Sequence, residues 1–321
     1  MKWYLKALVQ NGMSLLPEAL AEPIYYRLQR NLGELRNPRF DLRFDAALNT
    51  VELLRDHRDG IEGARVLEVG TGRTVDVPMA LWLMGAGEVV TVDIARLLRP
   101  ELVAESYQHL RERWPFFRKR FVELADERLV DKRFATLGRA TGGGVRPNEL
   151  HDVLRAMNVR YHAPADATAL EMPDASFDVM TTYVVFQHVP PEPMKAILQA
   201  GRRLLKKSGA MVHVANTGDH FAHVDDALSP LHFLRWSERQ WQLIAGNRYM
   251  YQNRLRADDY YALFEECGLS LVHSHETTDE RALRELREGL PLHPDWRGRP
   301  PERDAVIRFA AVLERDDANA R

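Results

Sequence analysis

With a single cysteine, Cys267, the 321-residue chain can form no intramolecular disulfide, and nothing in it asks for an oxidising compartment. Neither sign of charge is in excess, since 44 Lys and Arg stand against 46 Asp and Glu. That balance speaks against a basic nucleic-acid coat and against an acidic disordered chain. No run reaches the roughly 18 unbroken apolar residues of a membrane-spanning helix. Residues 1–16 carry Lys2 and Lys6 among their apolar side chains and lack a small-residue cleavage site, so they do not read as a signal peptide. Internal repeats and low-complexity tracts are not apparent. What is there, 45% hydrophobic and 28% charged residues, is an ordinary globular composition, sized for one large domain or two small ones and expected in the cytoplasm.

Residues 1–60 read as a helical extension, with Leu5, Leu8, Val9, Met13 and Leu16 at helical spacing and Pro17 and Pro23 as punctuation. Trp3, Tyr4, Lys2 and Lys6 flank this apolar stripe. It is expected to pack on the protein's own core rather than lie on a membrane surface, and it also offers a place for contact between two copies of the chain. From Ala64 onward short β-branched runs alternate with helical stretches, the pattern of a doubly wound α/β sheet. The runs are 64–69, 88–94, 159–162, 177–184, 211–215, 269–275 and 305–313, with a helix over 194–207 before the fifth. They predict a seven-stranded, mostly parallel sheet spanning a domain from residue 61 to 321. Residues 97–158 are too many for one crossover helix and predict a helical insertion. Between 109 and 160 there are 12 Lys and Arg against 7 Asp and Glu, with a Gly142-Gly143-Gly144 hinge. Two readings stay open for it: a mobile cap over an anionic substrate, or an extra helical pair with a solvated face.

The first run ends in Glu68-Val69-Gly70-Thr71-Gly72, where a strand gives way to a helix. Glycines there permit a tight turn and close approach of a ligand, and unpaired amides at the helix start would attract an anionic group. Asp93 ends the second run, at a spacing from which an acid accepts hydrogen bonds from ribose hydroxyls. Arg73-Thr74-Val75 supplies no third glycine for packing against a pyrophosphate, so a ribose-bearing ligand without one suits the turn better.

These residues resemble the class I S-adenosylmethionine-dependent methyltransferases, whose acid-x-Gly-x-Gly turn is matched by Glu68, Gly70 and Gly72. The resemblance covers roughly residues 64–313 without the insertion. Asp166-Ala167 before Phe177-Asp178-Val179-Met180 resembles the family's adenine-side acid loop and fourth strand. Phe186-Gln187-His188-Val189 resembles the segment after that strand, and Leu204 to Ala210 the turn into the fifth. The resemblance implies a Rossmann-like methyltransferase fold with S-adenosylmethionine as cofactor. It places Glu68, Gly70, Thr71 and Gly72 at the methionine part, Asp93 at the ribose, and Ile94, Asp166, Ala167 and Phe186 also at the cofactor. Thr74 departs from the pattern, since many members have glycine there.

Methyl transfer to oxygen benefits from a base, and histidine is the side chain best poised near neutral pH. His188, in the segment that the resemblance puts beside the methyl group, is the first candidate, followed by His220 and His223 in the loop after the fifth run. His213 is expected to pack inside its strand, and Cys267 to be packed rather than nucleophilic. His220, His223, Asp225 and Asp226 fit no strong metal template, so no metal is expected. Arg248, Tyr251, Asn253 and Arg254 are candidates to orient a polar or anionic acceptor. The expected activity is O-methylation of a small polar metabolite or sugar. A nicotinamide-dependent oxidoreductase and a non-catalytic scaffold are the alternatives, and a nucleic-acid substrate is disfavoured by the near-neutral charge.

Overall fold

β-branched runs without turn residues become strands wherever both faces of a sheet can be covered, and that decides the architecture here. The computed structural model describes residues 2–57, 60–141 and 149–316; the expected Gly142-Gly143-Gly144 hinge lies outside them. Three helices open the chain: α1 (Trp3–Ser14), α2 (Glu18–Leu32) and α3 (Phe40–His57). Next come β1 (Arg65–Val69), α4 (Asp76–Leu83) and β2 (Glu88–Val92). The insertion supplies α5 (Pro100–Glu112), α6 (Trp114–Val122) and α7 (Glu127–Thr141), and α8 (Leu150–Ala156) leads into β3 (Val159–His162). The rest is β4 (Phe177–Tyr183), α9 (Pro191–Leu204), β5 (Leu205–Asn216), α10 (Glu238–Ala245), α11 (Ala257–Glu266), β6 (Leu269–Thr278), α12 (Glu280–Arg287) and β7 (Val306–Arg315).

The seven strands lie in the order β3-β2-β1-β4-β5-β7-β6. The ladders from β3 to β5 are parallel, and β7 is antiparallel to both of its neighbours. This is the expected mostly parallel, doubly wound sheet. Strand order reverses between β1 and β4, so the crevice for a ligand opens at the carboxyl ends of those two strands. The helix expected to reach Lys207 stops at Leu204. Leu205 pairs with Phe177 and Ala210 with Val179, so Lys206 to Gly209 bulge out between two paired segments of β5.

One face of the sheet is covered by α3, α4 and the insertion, with Phe44, Phe117 and Phe121 buried against Val66, Val89 and Val212. The other is covered by α9 and α11, with Leu198 and Phe264 against Leu67, Met180 and Met211. The insertion is thus core, and Trp114 stacks on Phe134 with ring centroids 3.6 Å apart. Three of its basic residues are engaged within the protein: Arg118 pairs with Asp131 and Glu127, Arg120 with Asp45, and Arg133 donates to the Trp82 and Ala86 carbonyls. Leu97 and Leu102, at the start of the insertion, line the crevice, while Phe117 and Phe121 of α6 and Val130 and Leu137 of α7 are buried in the core.

A third apolar cluster joins Trp241, Phe221 and Phe233 to α12 and α1. There Asp225 accepts the Trp3 amide and pairs with Lys2, tying the start of α1 to the loop after β5. The stripe on α1 corrects the expectation of core packing: Met13 is buried, but Leu5, Leu8, Val9 and Leu16 are exposed, Leu8 to 70%. Leu5, Leu8 and Val9 lie off the side of α1 through which Trp3 packs on Phe221 and Gln10 reaches Tyr25 and Tyr249. Among the described residues no helix is long and apolar enough to cross a membrane.

Candidate active site

Two adjoining cavities occupy the crevice. The first, about 800 Å³, lies over the ends of β1, β2 and β4 and is lined by the glycine turn, by Asp93, Ile94 and Leu97, by Ala165 to Thr168, and by Tyr183 to Val185. The second, about 590 Å³, lies between the sheet and the N-terminal helices, with Lys6, Gln10, Tyr25, Arg39, His220 and His223 among its lining. Arg43, Gly72, Thr74, Leu97, Tyr183, Val184 and His188 belong to both.

The turn is shaped by its glycines. Gly70 has φ 94°, and a Cβ there would lie 2.3 Å from Val185 Cγ2, so neither the backbone conformation nor the space admits a side chain. Gly72, at φ 69°, donates its amide to Asp93 Oδ2 at 2.8 Å, while Asp93 Oδ1 accepts the Ala95 amide at 3.0 Å. The acid at the end of β2 therefore holds the turn and faces the cavity together with it. Val184, at φ 50°, is a β-branched residue in the left-handed region, a strained position at the seam of the two cavities.

The start of α4, where an anion was expected, already carries a carboxylate of the chain itself. Asp76 already stands in the first turn of α4, fully buried, accepting from Thr74 and Ser106 with Arg43 at 3.7 Å. Thr74 is thereby explained, for its hydroxyl also receives Arg43 and so links α3 to this carboxylate.

Glu68 lines the first cavity from β1 and accepts the Thr91 hydroxyl. Burial pushes its carboxyl up to about 8; Thr91 and Arg43 oppose the shift, and Asp76 and Asp93 add to it. The folded chain thus keeps a proton that the unfolded chain loses near 4.5, so stability falls as pH rises from about 4.5 to about 8. Glu68→Gln is expected to flatten that part of the stability curve and to raise the melting temperature by several degrees above pH ~8. Thermal melts across pH check this; an unchanged slope would mean that Glu68 is ionised in the folded state.

Ile94 is 78% exposed, an apolar side chain over the mouth of the first cavity. Asp166 is held below the usual carboxylate range by the amide and hydroxyl of Thr168, both bonded to Oδ1, which leaves Oδ2 free for a ligand. Phe186 does not line either cavity. It is fully buried and packs on His213, whose Nδ1 is 2.9 Å from the Thr182 hydroxyl.

His188 sits at the seam. Its Nδ1 lies 2.8 Å from the Tyr251 carbonyl, which can only accept, so Nδ1 carries the hydrogen and Nε2 keeps its lone pair. The ring is deep in the protein, yet exposed through the cavity. His220 follows with ring centroids 4.9 Å away, and His223 stacks on His220 at 5.3 Å. Burial holds all three imidazoles below their ordinary pKa, and Lys6 adds to this in each. They are neutral bases at neutral pH. Among the described residues no group of three His, Cys, Asp or Glu side chains could hold a metal ion.

The four residues expected at an acceptor lie elsewhere. Arg248 donates to the Leu16 carbonyl, and Arg254 is buried on the Phe233 and Trp236 carbonyls and Glu238. Asn253 donates to the Phe186 and Val189 carbonyls, and Tyr251 contributes its carbonyl to His188. None of the four lines either cavity, although Tyr249 and Met250 of the same segment line the second, and Tyr251 and Asn253 brace the His188 loop. Missing from the sequence reading were Tyr183, Val184, Arg43 and the contributions of α1 and α2. The first two stand at the carboxyl end of β4, where strand order alone points; Arg43 and Lys6 reach the site only through tertiary packing.

Residues 132–213 match the family model described as a methyltransferase domain. No curated protein sequence matches the chain. Among solved structures, a protein from Pyrococcus horikoshii OT3 is similar at 14% identity and TM-score 0.49, over 91% of this chain and 98% of that one. A 1,6-didemethyltoxoflavin N1-methyltransferase from Burkholderia thailandensis, with bound S-adenosylhomocysteine, is similar at 13% identity and TM-score 0.45, over 94% and 91%. A SAM-dependent methyltransferase from Methanosarcina mazei is similar at 14% identity and TM-score 0.44, over 79% and 93%.

Proposed function

We propose that the chain is a class I S-adenosylmethionine-dependent methyltransferase that methylates a hydroxyl oxygen of a small polar metabolite, with the cofactor in the first cavity and the acceptor in the second. The first cavity fits the cofactor's chemistry: Asp93 for ribose hydroxyls, Asp166 for the adenine amino group, Ile94 for the purine face, and Glu68 beside the glycine turn for the charged methionine end. When bound, the cofactor supplies an electrophilic methyl group on a sulfonium that departs as a neutral thioether.

The protein's own work is positioning and proton removal. An in-line displacement needs the acceptor oxygen held against the methyl group, and the shared walls at Gly72, Tyr183 and Val184 define the passage where the two ligands meet. His188 Nε2 takes the hydroxyl proton as the oxygen–carbon bond forms, and the Tyr251 carbonyl steadies the imidazolium through Nδ1–H. His220 and His223 orient the acceptor beside it. The observation that carries this reading is the neutral, oriented imidazole at the seam of two cavities. Its test is transfer of labelled methyl from S-adenosylmethionine to a metabolite extract. Label in a base-stable ether supports it; label on nitrogen or carbon contradicts it.

A further inference from the structure

The second cavity is walled by more positive charge than the fold needs. Lys6 from α1, Arg39 from the approach to α3, and Arg308 from β7 line it together with Arg43 and Arg73. Arg43 is engaged with Thr74 and Asp76, and Arg73 pairs with Glu22. The side chains of Lys6, Arg39 and Arg308 have no hydrogen-bond or ion-pair partner among the described residues; the Arg308 guanidinium only rests over the Tyr183 ring at 5.7 Å. Glu34 is the one carboxylate on the described wall. Burial depresses Lys6 below the usual lysine range despite Glu34 and Asp219, so charge at this wall is costly without a counterion. Gln10 and Gln187, also wall residues, are buried and leave Oε1 without a partner, hydrogen-bonding capacity in reserve for a hydroxyl.

We infer that the methyl acceptor is an anionic, hydroxyl-bearing small molecule whose carboxylate or phosphate is held by Lys6, Arg39 and Arg308 while a hydroxyl is presented to His188. This rests on the assignment of the second cavity to the acceptor. Three unpaired cations from separate elements, the half-buried Lys6 and Arg308 and the exposed Arg39, converge on one cavity wall and form a counter-charge for one ligand group. The site is complete only with α1 folded in place.

The test labels a metabolite extract with methyl from S-adenosylmethionine and passes the products over an anion exchanger at neutral pH. Retention of the labelled product is expected, and pretreating the extract with phosphatase separates the sources: labelling is lost for a phosphate ester and kept for a carboxylate. In parallel, inorganic phosphate at constant ionic strength is expected to raise the melting temperature of the S-adenosylhomocysteine complex by about 2 °C or more. Lys6→Met and Arg308→Met should abolish that rise while leaving S-adenosylhomocysteine affinity unchanged, which also shows that both variants fold. A labelled product in the flow-through, with normal S-adenosylhomocysteine binding, overturns the inference and leaves the methyltransferase reading intact. Absence of S-adenosylhomocysteine binding overturns both.

Discussion

Asp93→Ala is expected to weaken S-adenosylhomocysteine binding by about 100-fold or more, since hydrogen bonds to a charged group are worth roughly 1.5–3 kcal/mol each. Two effects combine. The variant removes the acid offered to ribose hydroxyls, and it frees the Gly72 and Ala95 amides that Asp93 now fixes at 2.8 and 3.0 Å. Stability should change much less. Burial raises the Asp93 pKa, with the two amides and Arg73 only opposing it, so deleting the carboxylate also relieves a desolvation penalty. Calorimetry paired with a thermal melt separates the two quantities. Equal losses in both would mean that Asp93 is only a structural clamp, and an unchanged affinity would remove it from the site. Asp93→Asn tests charge against shape: it can accept from one amide but opposes its own NH2 to the other, so an intermediate affinity is expected.

His188→Gln is expected to lower turnover by about 10²- to 10⁴-fold, the usual contribution of a general base, with cofactor affinity unchanged. The pH profile carries the sharper information. Burial depresses the His188 pKa below 6.5, and Lys6 assists while the Tyr251 carbonyl opposes. An imidazolium cannot accept a proton, so wild-type turnover falls only as pH drops below that lowered value and is flat through neutrality. The acidic limb should vanish in the variant. His220 and Lys6 also act on this ring, with His223 behind His220, and His220→Gln is the control. If the limb moves with His220 instead, the base is His220. A profile rising through the alkaline range would point away from histidine altogether.

The part of this architecture carried by local pattern was legible before any coordinates. β-branched runs, the glycine turn and the spaced acid are written in adjacent residues, and strands and turn form where those residues lie. Residues whose role depends on fold-back were not legible. Lys6 reaches the second cavity because Asp225 fixes the start of α1, and nothing near Lys6 in sequence records that. Arg248 and Arg254 show the converse error. Their density with aromatics suggested recognition, yet each is spent on backbone carbonyls that no sequence pattern reveals. Phe186 falls between the two cases. Its segment is placed correctly, but its side chain turns inward against His213, and two residues later His188 faces the cavity. The exposed stripe on α1 failed for a simpler reason. Helical periodicity shows that an apolar face exists, not which neighbour covers it.

The account's central claim is that the cavity over β1, β2 and β4 holds S-adenosylmethionine. A crystal structure with S-adenosylhomocysteine tests it most directly. The expected map places the ribose hydroxyls within hydrogen-bond distance of Asp93, the adenine between Ile94 and Asp166, and the sulfur facing the passage at His188. Density for the nucleoside outside this crevice, or a ribose making no contact with Asp93, would contradict it.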